Sequence, residues 1–265
     1  MNKLIIPLLC LAAGASIITC TSSESTQGKV ILAIFAHPDD ESTVSAVLAK
    51  YAAEGVSVYV AVATDGRLGV TQHAGIPGGD SLAAARAKEM ICAAEQLGIH
   101  PPIMMGMHDQ LKMREGLSAL SGQLDTIRRN VTKLFTDLRP DVVITWGPSG
   151  WTGHHDHRLV GSVVTEVFSS QTWTKPMRLY YPELATGSLP KDIPFPVATV
   201  DPSYLTIKVP VTETDYDKAK AALLCHKSQY TPEVADQLQQ LVRTTQKGVA
   251  YFRPFDLTGS QSFFP

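Results

Sequence analysis

The sequence predicts an α/β fold, in which a mostly parallel β-sheet is flanked by helices on both faces. Strand-like and helix-like segments alternate from residue 29 onward, and this alternation specifies a parallel sheet covered by helices. The first strand, Lys29-Val-Ile-Leu-Ala-Ile-Phe35, is a continuous β-branched and apolar run. Such a run is typical of a strand buried on both faces, as parallel strands are.

The elements follow a regular order over the first two thirds of the chain. Strands are predicted at residues 29–35, 56–62, 103–107, 141–145, 178–181 and 204–209. Helices with apolar residues at helical spacing are predicted at residues 42–53, 117–138, 159–168 and 215–226. One more helix, capped by Asp80 or Ser81, runs to Leu97 and ends at Gly98. The tail, rich in Gly, Ser and Phe, is predicted to be irregular.

The composition is that of a globular protein with a sizeable core. Of the 265 residues, 44% are apolar and 18% are charged, and the formal net charge is −2. The basic residues are scattered singly and form no Lys/Arg stripe, which argues against a nucleic-acid partner. Because no linker interrupts the chain, residues 29–265 are predicted to form a single domain.

The N-terminus has the pattern of an export signal at residues 1–20. A short positive segment ending at Lys3 precedes an uncharged, mostly apolar run that is too short to span a bilayer. The run ends at Cys20 and is followed by a polar tether, residues 21–28. A cysteine at this boundary favours a lipoprotein signal with a lipid anchor at Cys20; the alternative is an ordinary cleaved signal. Either one predicts an exported protein, in the cell envelope, the periplasm or the medium.

Beyond the signal, the chain contains two cysteines. Cys92 and Cys225 each lie in an apolar helical pattern, which favours two buried free thiols. A disulfide formed after export is the alternative, because sequence spacing does not decide between them.

A first cluster of polar residues follows the first strand, in His37-Pro38-Asp39-Asp40-Glu41. Three acids after a proline also make a good helix start, since the free amides and the helix dipole favour negative charge there. That structural interpretation explains the acids and leaves the histidine unexplained.

A second cluster, Gly153-His-His-Asp-His157, follows a later strand. The carboxyl ends of parallel strands meet at one edge of the sheet, so the two clusters can converge on one site. Imidazole nitrogens together with a carboxylate suit Zn²⁺ or another divalent transition metal. The sequence therefore predicts one metal ion per chain and no other cofactor.

The two clusters resemble the signatures of the LmbE/PIG-L family of zinc-dependent N-acetylglucosaminyl deacetylases. The first matches closely, and His155 stands where the second signature has Pro. The resemblance extends over about residues 29–230 and includes four further segments: Thr64-Asp-Gly66, Arg86-x-x-Glu89, Arg139-Pro-Asp-Val-Val143 and His226-x-Ser-Gln229. It implies a Rossmann-like fold.

The resemblance also implies roles for individual residues. The zinc ligands would be His37, Asp40 and His157, and Asp39 would be the general base. His154, in its protonated form, would stabilise the oxyanion, with Asp156 orienting it or tuning its pKa. Some members carry a Tyr where this chain has Thr152, so the substrate side of the site is expected to differ.

The predicted activity is metal-dependent hydrolysis of an amide, with N-deacetylation of an N-acetylglucosamine-containing glycan or small molecule as the first choice. Arg67 and Thr152 are the candidate substrate contacts. One alternative is a hydrolase of another amide conjugate of an amino sugar. The other is a non-catalytic exported carbohydrate-binding protein, against which the presence of Asp39 and His154 argues. The sequence predicts no oligomeric state.

Overall fold

A computed structural model describes residues 26–190, 193 and 196–256. The predicted export signal and Cys20 lie outside the described residues. Within the described part of the chain, none of the helices is both long and apolar enough to cross a membrane.

A seven-stranded sheet forms the centre of the structure. Its strands are β1 (Val30–Phe35), β2 (Ser57–Thr64), β3 (Ile103–Met107), β4 (Val142–Thr145), β5 (Arg178–Pro182), β8 (Ile207–Pro210) and β9 (Val249–Pro254), and β6 (Leu184–Ala185) pairs separately with β7 (Thr199–Val200). The order across the sheet is β3-β2-β1-β4-β5-β9-β8. The first five strands are parallel, and β9 runs antiparallel to both of its neighbours.

Within the described residues, six α-helices accompany the sheet: α1 (Ser45–Ala53), α2 (Asp80–Leu97), α3 (Leu117–Leu138), α4 (His155–Ser169), α5 (Glu213–Leu223) and α6 (Pro232–Gln246). One apolar core lies between the sheet and the helices α1, α2 and α5. A second core lies on the opposite face, under α3 and α4. The predicted α/β architecture with helices on both faces is therefore confirmed.

The strand order places a topological switch point between β1 and β4. From β1 the chain winds outward through β2 to β3, whereas β4 leads to β5 on the other side. Adjacent strands that lead in opposite directions leave a crevice at their carboxyl ends, where ligands bind in open α/β sheets. His37 follows β1, and the histidine cluster follows β4, so both predicted clusters border this crevice.

The last third of the chain departs from the prediction. The predicted irregular tail contains α6 and then β9, which inserts between β5 and β8. Thr231 caps α6 by accepting a hydrogen bond from the Val234 amide, and Pro232 starts its first turn. Ala235 and Gln239 are its buried residues, but its apolar residues recur at helical spacing, a signal that the prediction did not use. Helix α4 also begins earlier than predicted, at His155 rather than Leu159.

The expectation of two free thiols was wrong, because Cys92 and Cys225 form a disulfide. Cys92 lies on α2, and Cys225 lies just after α5. These helices pack against each other on one face of the sheet and bring the two Cα atoms to 5.8 Å, within the usual range for a disulfide. The bond joins positions 133 residues apart.

Candidate metal centre and active site

Three side chains converge at the carboxyl ends of β1 and β4. Nδ1 of His37 lies 3.3 Å from Nε2 of His157, and this Nε2 lies 3.2 Å from Oδ1 of Asp40. Oδ2 of Asp40 lies 3.7 Å from Nδ1 of His37. All three side chains are buried. The structure thus brings together the three residues that the sequence predicts as metal ligands.

The hydrogen bonds of His157 determine which of its nitrogens is available. Nδ1 of His157 donates to the Gly150 carbonyl at 3.0 Å, so in the neutral ring Nε2 carries a lone pair. The ring stacks on the indole of Trp146 with centroids 4.5 Å apart and planes inclined by 9°. Orientation of a ligand histidine by a backbone carbonyl is the arrangement that metal sites commonly use.

His37 is oriented by two carboxylates, which lie on the side of its ring away from His157. Its Nε2 lies 3.2 Å from Oδ2 of Asp156 and 3.4 Å from Oδ1 of Asp109. This nitrogen therefore carries a hydrogen, and Nδ1 faces Asp40 and His157. Burial lowers the pKa of His37, but Asp109, Asp156 and Asp40 outweigh burial and raise the pKa well above its usual value.

The two carboxylate oxygens of Asp40 have different partners. Oδ2 accepts hydrogen bonds from the amides of Ala36 and His37, at 3.0 and 2.9 Å, and from Nε1 of Trp146 at 3.1 Å. Oδ1 is left to face His157. Burial raises the pKa of Asp40, but His157 and His37 lower it well below its usual value. The carboxylate is therefore charged.

The donor set fits a divalent metal ion. Two imidazole nitrogens and a charged carboxylate lie close together, and a tetrahedral site with bonds of about 2.0–2.1 Å requires donor atoms about 3.3–3.4 Å apart. Nε2 of His157 meets this spacing with Oδ1 of Asp40 at 3.2 Å and with Nδ1 of His37 at 3.3 Å, whereas the 3.7 Å contact of His37 is longer and is to the other oxygen of Asp40. His154 also has a ring nitrogen within 4.8 Å of the two buried histidines, but it is exposed and less constrained than Asp40.

A second group of possible donors, His37, Asp109 and Asp156, lies on the far side of His37. There the Nε2 hydrogen of His37 already points at the two carboxylates. We interpret this group as the hydrogen-bonding shell that orients His37, since a hydrogen-bearing nitrogen is not a metal ligand.

Asp39 is presented by a left-handed backbone conformation, with φ 108° and ψ −16°. A non-glycine residue in such a conformation costs about 1–3 kcal/mol, and such residues cluster at functional sites. The Asp39 amide donates to Oε2 of Glu41 at 3.1 Å. Burial raises the pKa of Asp39; the Arg86 guanidinium opposes this shift, and Asp40 adds to it.

Arg86 reaches Asp39 from α2. Its Nη2 lies 3.0 Å from Oδ1 of Asp39 and also contacts the Pro38 carbonyl, and Nη1 donates to the Gly66 carbonyl at 3.1 Å. A Cβ at Gly66 or Gly69 would lie 2.5 or 2.6 Å from Nη1. Glycine at these positions leaves the space that the guanidinium occupies.

Glu41 bonds a histidine that is not one of the three candidate ligands. Its Oε1 lies 2.7 Å from Nε2 of His226, and both side chains are almost wholly buried. Burial lowers the pKa of His226, but Glu41 outweighs it and raises the pKa. His226 therefore anchors the segment after α5 to the base of the site and does not line the cavity.

His154 is the N-cap of α4. Its Nδ1 accepts a hydrogen bond from the Asp156 amide at 3.2 Å, so this nitrogen carries no hydrogen. Burial, His37 and His157 lower the pKa of His154. A positive charge at a helix N-terminus is also opposed by the helix dipole. The structure therefore favours a neutral His154 with its hydrogen on Nε2, in place of the cation that the family resemblance implied.

Of the remaining candidate residues, Asp156 and Thr152 lie at the site and Arg67 does not. The Asp156 carboxylate bonds His37 and the Gln110 amide, whereas only its backbone amide bonds His154. Thr152 lines the cavity beside the metal centre. Arg67 is not one of the described residues that line this cavity. Its guanidinium pairs with Asp65 at 2.7 Å and with Asp80 at 3.0 Å.

The cavity has a volume of about 330 Å³, at the small end of ligand pockets. The three candidate ligands and Asp39 are part of its lining. The other lining residues come from several elements and comprise Ser42, Thr43, Leu68, Gly69, Arg86, Asp109, Gln110, Trp146, Trp151, Thr152, His154, Gln229 and Tyr230. The lining combines charged, hydroxyl and amide side chains with two tryptophan rings.

Comparison with known families agrees with this geometry. The family model described as "PIG-L: GlcNAc-PI de-N-acetylase" matches residues 32–168, just over half of the chain, and the match contains both histidine clusters. The chain belongs to the PIG-L family.

Several curated relatives carry the name 1D-myo-inositol 2-acetamido-2-deoxy-alpha-D-glucopyranoside deacetylase. The one from Mycolicibacterium vanbaalenii is 29% identical over 173 residues, covering 60% of this chain and 61% of the relative. The one from Mycobacteroides abscessus is 30% identical over 174 residues, covering 60% and 62%. The chain thus spans about three fifths of the length of these relatives.

Solved structures show the same fold at low identity. N,N'-diacetylchitobiose deacetylase from Pyrococcus horikoshii has a TM-score of 0.64 at 22% identity, over 86% of this chain and 83% of that one. Teicoplanin deacetylase Orf2 has a TM-score of 0.62 at 18% identity, over 85% and 97%. The 4-carboxy-2-hydroxymuconate hydratase GalB from Pseudomonas putida has a TM-score of 0.61 at 17% identity, over 89% and 100%. Since a hydratase shares this fold, the fold alone does not select the reaction.

Four residues of the PIG-L site escaped the sequence analysis: Arg86, Asp109, Trp146 and Tyr230. Asp109 and Trp146 follow β3 and β4, so the rule that ligands bind beyond strand ends could have found them. Arg86 belongs to a segment that matches the family, but nothing in the sequence indicated its contact with Asp39. Tyr230 lies in a loop after α5, directly after the family-like segment His226-x-Ser-Gln229, but the resemblance gave it no role.

Proposed function

We propose that this protein is a zinc-dependent amide hydrolase that removes the acetyl group from an N-acetylated amino sugar, with an N-acetylglucosamine-containing glycan or small molecule as substrate. One observation carries the proposal. His157 lies at metal-site spacing from both His37 and Asp40, with Asp39 next to Asp40, in a chain that matches the family model for a de-N-acetylase. The names of the relatives in the two comparisons support the substrate class.

The residues that would hold zinc are His37, Asp40 and His157. A zinc ion supplies Lewis-acid polarisation of the acetamide carbonyl and makes water acidic enough to lose a proton near neutral pH. Asp109 and Asp156 keep the hydrogen of His37 on Nε2, and the Gly150 carbonyl keeps that of His157 on Nδ1. These contacts hold Nδ1 of His37 and Nε2 of His157 toward the centre.

Asp39 is the proposed general base. It takes the proton of the attacking water as the water oxygen bonds to the carbonyl carbon. It then delivers this proton to the nitrogen as the C–N bond breaks, so that acetate and an amine leave. A carboxylate with a raised pKa is suited to this exchange because it holds the proton more readily than an ordinary Asp.

His154 is the proposed hydrogen-bond donor to the carbonyl oxygen. With Nδ1 accepting the Asp156 amide, the Nε2 hydrogen is available to the charge that develops on this oxygen. A neutral donor serves here because it adds no positive charge at the N-terminus of α4. Thr152, beside it in the cavity, offers a hydroxyl for a substrate group.

We also propose that residues 29–265 form one catalytic domain that is exported, as a lipoprotein anchored at Cys20 or as a soluble protein. The Cys92–Cys225 disulfide supports export, because disulfides persist in oxidising compartments and are rare in the cytosol. Labelling with a radioactive fatty acid, compared between the native sequence and Cys20→Ser, separates the two forms of export.

The test of the activity is acetate release from N-acetylglucosamine, N,N'-diacetylchitobiose and peptidoglycan fragments, with and without a chelator. We expect release from at least one of them, its loss with chelator, and its recovery when zinc is added. Release that is insensitive to the chelator would contradict the metal mechanism. Absence of release from every substrate, in a protein shown to contain zinc, would favour a different amide conjugate or a binding function.

A further inference from the structure

Both carboxylate oxygens of Asp39 have partners, and the partners come from different parts of the chain. Oδ1 pairs with Nη2 of Arg86, on α2, at 3.0 Å. Oδ2 accepts a hydrogen bond from the Tyr230 hydroxyl at 3.1 Å. The terminal torsion of an Asp side chain is broad, so a single anchor leaves the carboxylate free to rotate. Two anchors on different oxygens define its plane.

Tyr230 is itself held by a closely bonded segment, residues 225–230, which we call the wall segment. The disulfide joins its first residue to α2. His226 bonds Glu41, the amide and hydroxyl of Ser228 both bond the Glu89 carboxylate at 2.7 Å, and Gln229 donates to the Gly69 carbonyl at 3.0 Å. The wall segment is thus attached to α2, to the turn after β1 and to the loop after β2.

The hydrogen bond of the Tyr230 hydroxyl differs in its partner from the other hydrogen bonds of the wall segment. Their hydrogen bonds connect parts of the scaffold, whereas the hydroxyl bonds a carboxylate that lines the cavity, and Tyr230 lines the cavity as well. Arg86 also bonds the Gly66 and Pro38 carbonyls, so it keeps scaffold partners when Asp39 is changed. Asp39 is the hydrogen-bond partner that the structure gives the Tyr230 hydroxyl.

We propose that Tyr230 is a positioning residue for the reaction, which fixes the plane of the Asp39 carboxylate so that an oxygen points at the attacking water. This inference rests on the proposed function, because it gives Asp39 the role of base. A base must be within hydrogen-bond reach of the proton it takes, and small displacements of a reacting group cost large factors in rate. Rotation of the Asp39 carboxylate therefore lowers the turnover of the enzyme and leaves the substrate contacts made elsewhere in the cavity unchanged.

The test compares Tyr230→Phe with Tyr204→Phe, a matched control. Tyr204 is 48% exposed and lies in the 3-10 turn Pro202–Tyr204, away from the cavity lining. With N,N'-diacetylchitobiose or whichever substrate gives acetate release, we expect kcat of Tyr230→Phe to fall about 10- to 100-fold, the effect of losing a hydrogen bond to a charged group. We expect KM, zinc content and the melting temperature to stay close to those of the unchanged protein, and Tyr204→Phe to show no change.

A double-mutant cycle separates positioning from a direct role. If Tyr230 acts through Asp39, adding Tyr230→Phe to Asp39→Asn reduces the residual turnover no further. An equal loss in both backgrounds would show that Tyr230 contacts the substrate itself, and would overturn the inference. So would a Tyr230→Phe enzyme of unchanged kcat, or one that loses zinc or melts early. An Asp39→Asn enzyme with full activity would instead overturn the proposed role of the base.

Discussion

Nδ1 of His37 and Nε2 of His157 face each other at 3.3 Å, and in the neutral rings both are acceptors. Two lone pairs held this close repel each other unless a cation or a proton lies between them. The hydrogen bonds on the far sides of both rings prevent either from turning away, since Asp109 and Asp156 hold His37 and Gly150 holds His157. The fold thus creates a site that requires a positive charge.

His157→Ala should release the metal. The variant loses one of three donors, so we expect zinc affinity to fall by more than the roughly 10- to 100-fold typical of losing an outer hydrogen-bond partner of a ligand. The matched control is His155→Ala, because His155 is exposed on the same turn of α4. Zinc content after dialysis, measured by mass spectrometry, checks this. Equal zinc in both variants would show that His157 is not a ligand.

Asp39→Asn should keep zinc and lose turnover. The amide cannot accept a proton from water, so we expect kcat to fall about 10²- to 10⁴-fold, the range for removing a general base. Zinc content and kcat are measured on the same preparation. Loss of zinc together with activity would mean that Asp39 and Asp40 have their roles reversed.

His154→Ala should lower kcat by about 10²- to 10³-fold, as removal of an oxyanion donor does, with zinc retained. His154 also has a ring nitrogen within 4.8 Å of His37 and His157, so the alternative is a fourth ligand. Zinc affinity measured by competition with a chelator decides between them. A drop in affinity as large as that of His157→Ala would make His154 a ligand.

The Cys92–Cys225 bond should stabilise the fold considerably. It closes a loop between positions 133 residues apart, and native disulfides contribute about 2–5 kcal/mol, with longer loops at the upper end. We expect reduction, or Cys92→Ser, to lower the free energy of unfolding in urea by this amount. The control is internal, since a reductant should have no effect on Cys92→Ser. Equal stability of the oxidised and reduced protein would contradict the prediction.

Asp141 should make stability depend on acid pH. Its Oδ2 accepts hydrogen bonds from Lys175 at 2.7 Å and from the Val30 amide at 2.8 Å, joining β1 to the start of β4. Burial raises the pKa of Asp141, but these two partners and Lys29 outweigh it and lower the pKa. A carboxyl whose folded pKa lies below its unfolded value of about 3.9 contributes stability above that value and loses it as the pH falls further.

The measurement is urea unfolding of the native sequence and of Asp141→Asn over a range of pH. We expect the native protein to be more stable by about 1 kcal/mol at neutral pH, the net value of such a bond. The difference should be constant down to about pH 4 and shrink below it. A difference that grows on acidification would contradict the assigned direction of the shift.

Much of the fold was predictable because its signals are local. The buried runs of β1 and β2 and the helical spacing of α3 each identify their element without reference to the rest of the chain. The two ligand-bearing clusters were predictable for the same reason, as each is a short segment after a strand. That they converge followed from one general property of parallel sheets.

The last third was less predictable because its pattern depends on tertiary contacts. Helix α6 has apolar residues at helical spacing but buries few of its side chains, and β9 lies between β5 and β8 and is antiparallel to both, so its place depends on the rest of the sheet. The disulfide was unpredictable for a related reason. It depends on the distance between α2 and the end of α5, which sequence spacing does not contain.

By itself, then, the sequence determined that His37, Asp40 and His157 follow strands of one parallel sheet, and that Asp39 stands next to a ligand. Only the tertiary structure decided which nitrogens of the histidines face the centre and which partners hold Asp39. Those outcomes depend on Asp109, Gly150, Arg86 and Tyr230, which come from four separate segments. A hydrogen bond requires its two atoms within about 3.5 Å in a suitable direction, and for residues far apart in the chain only the packed structure provides that.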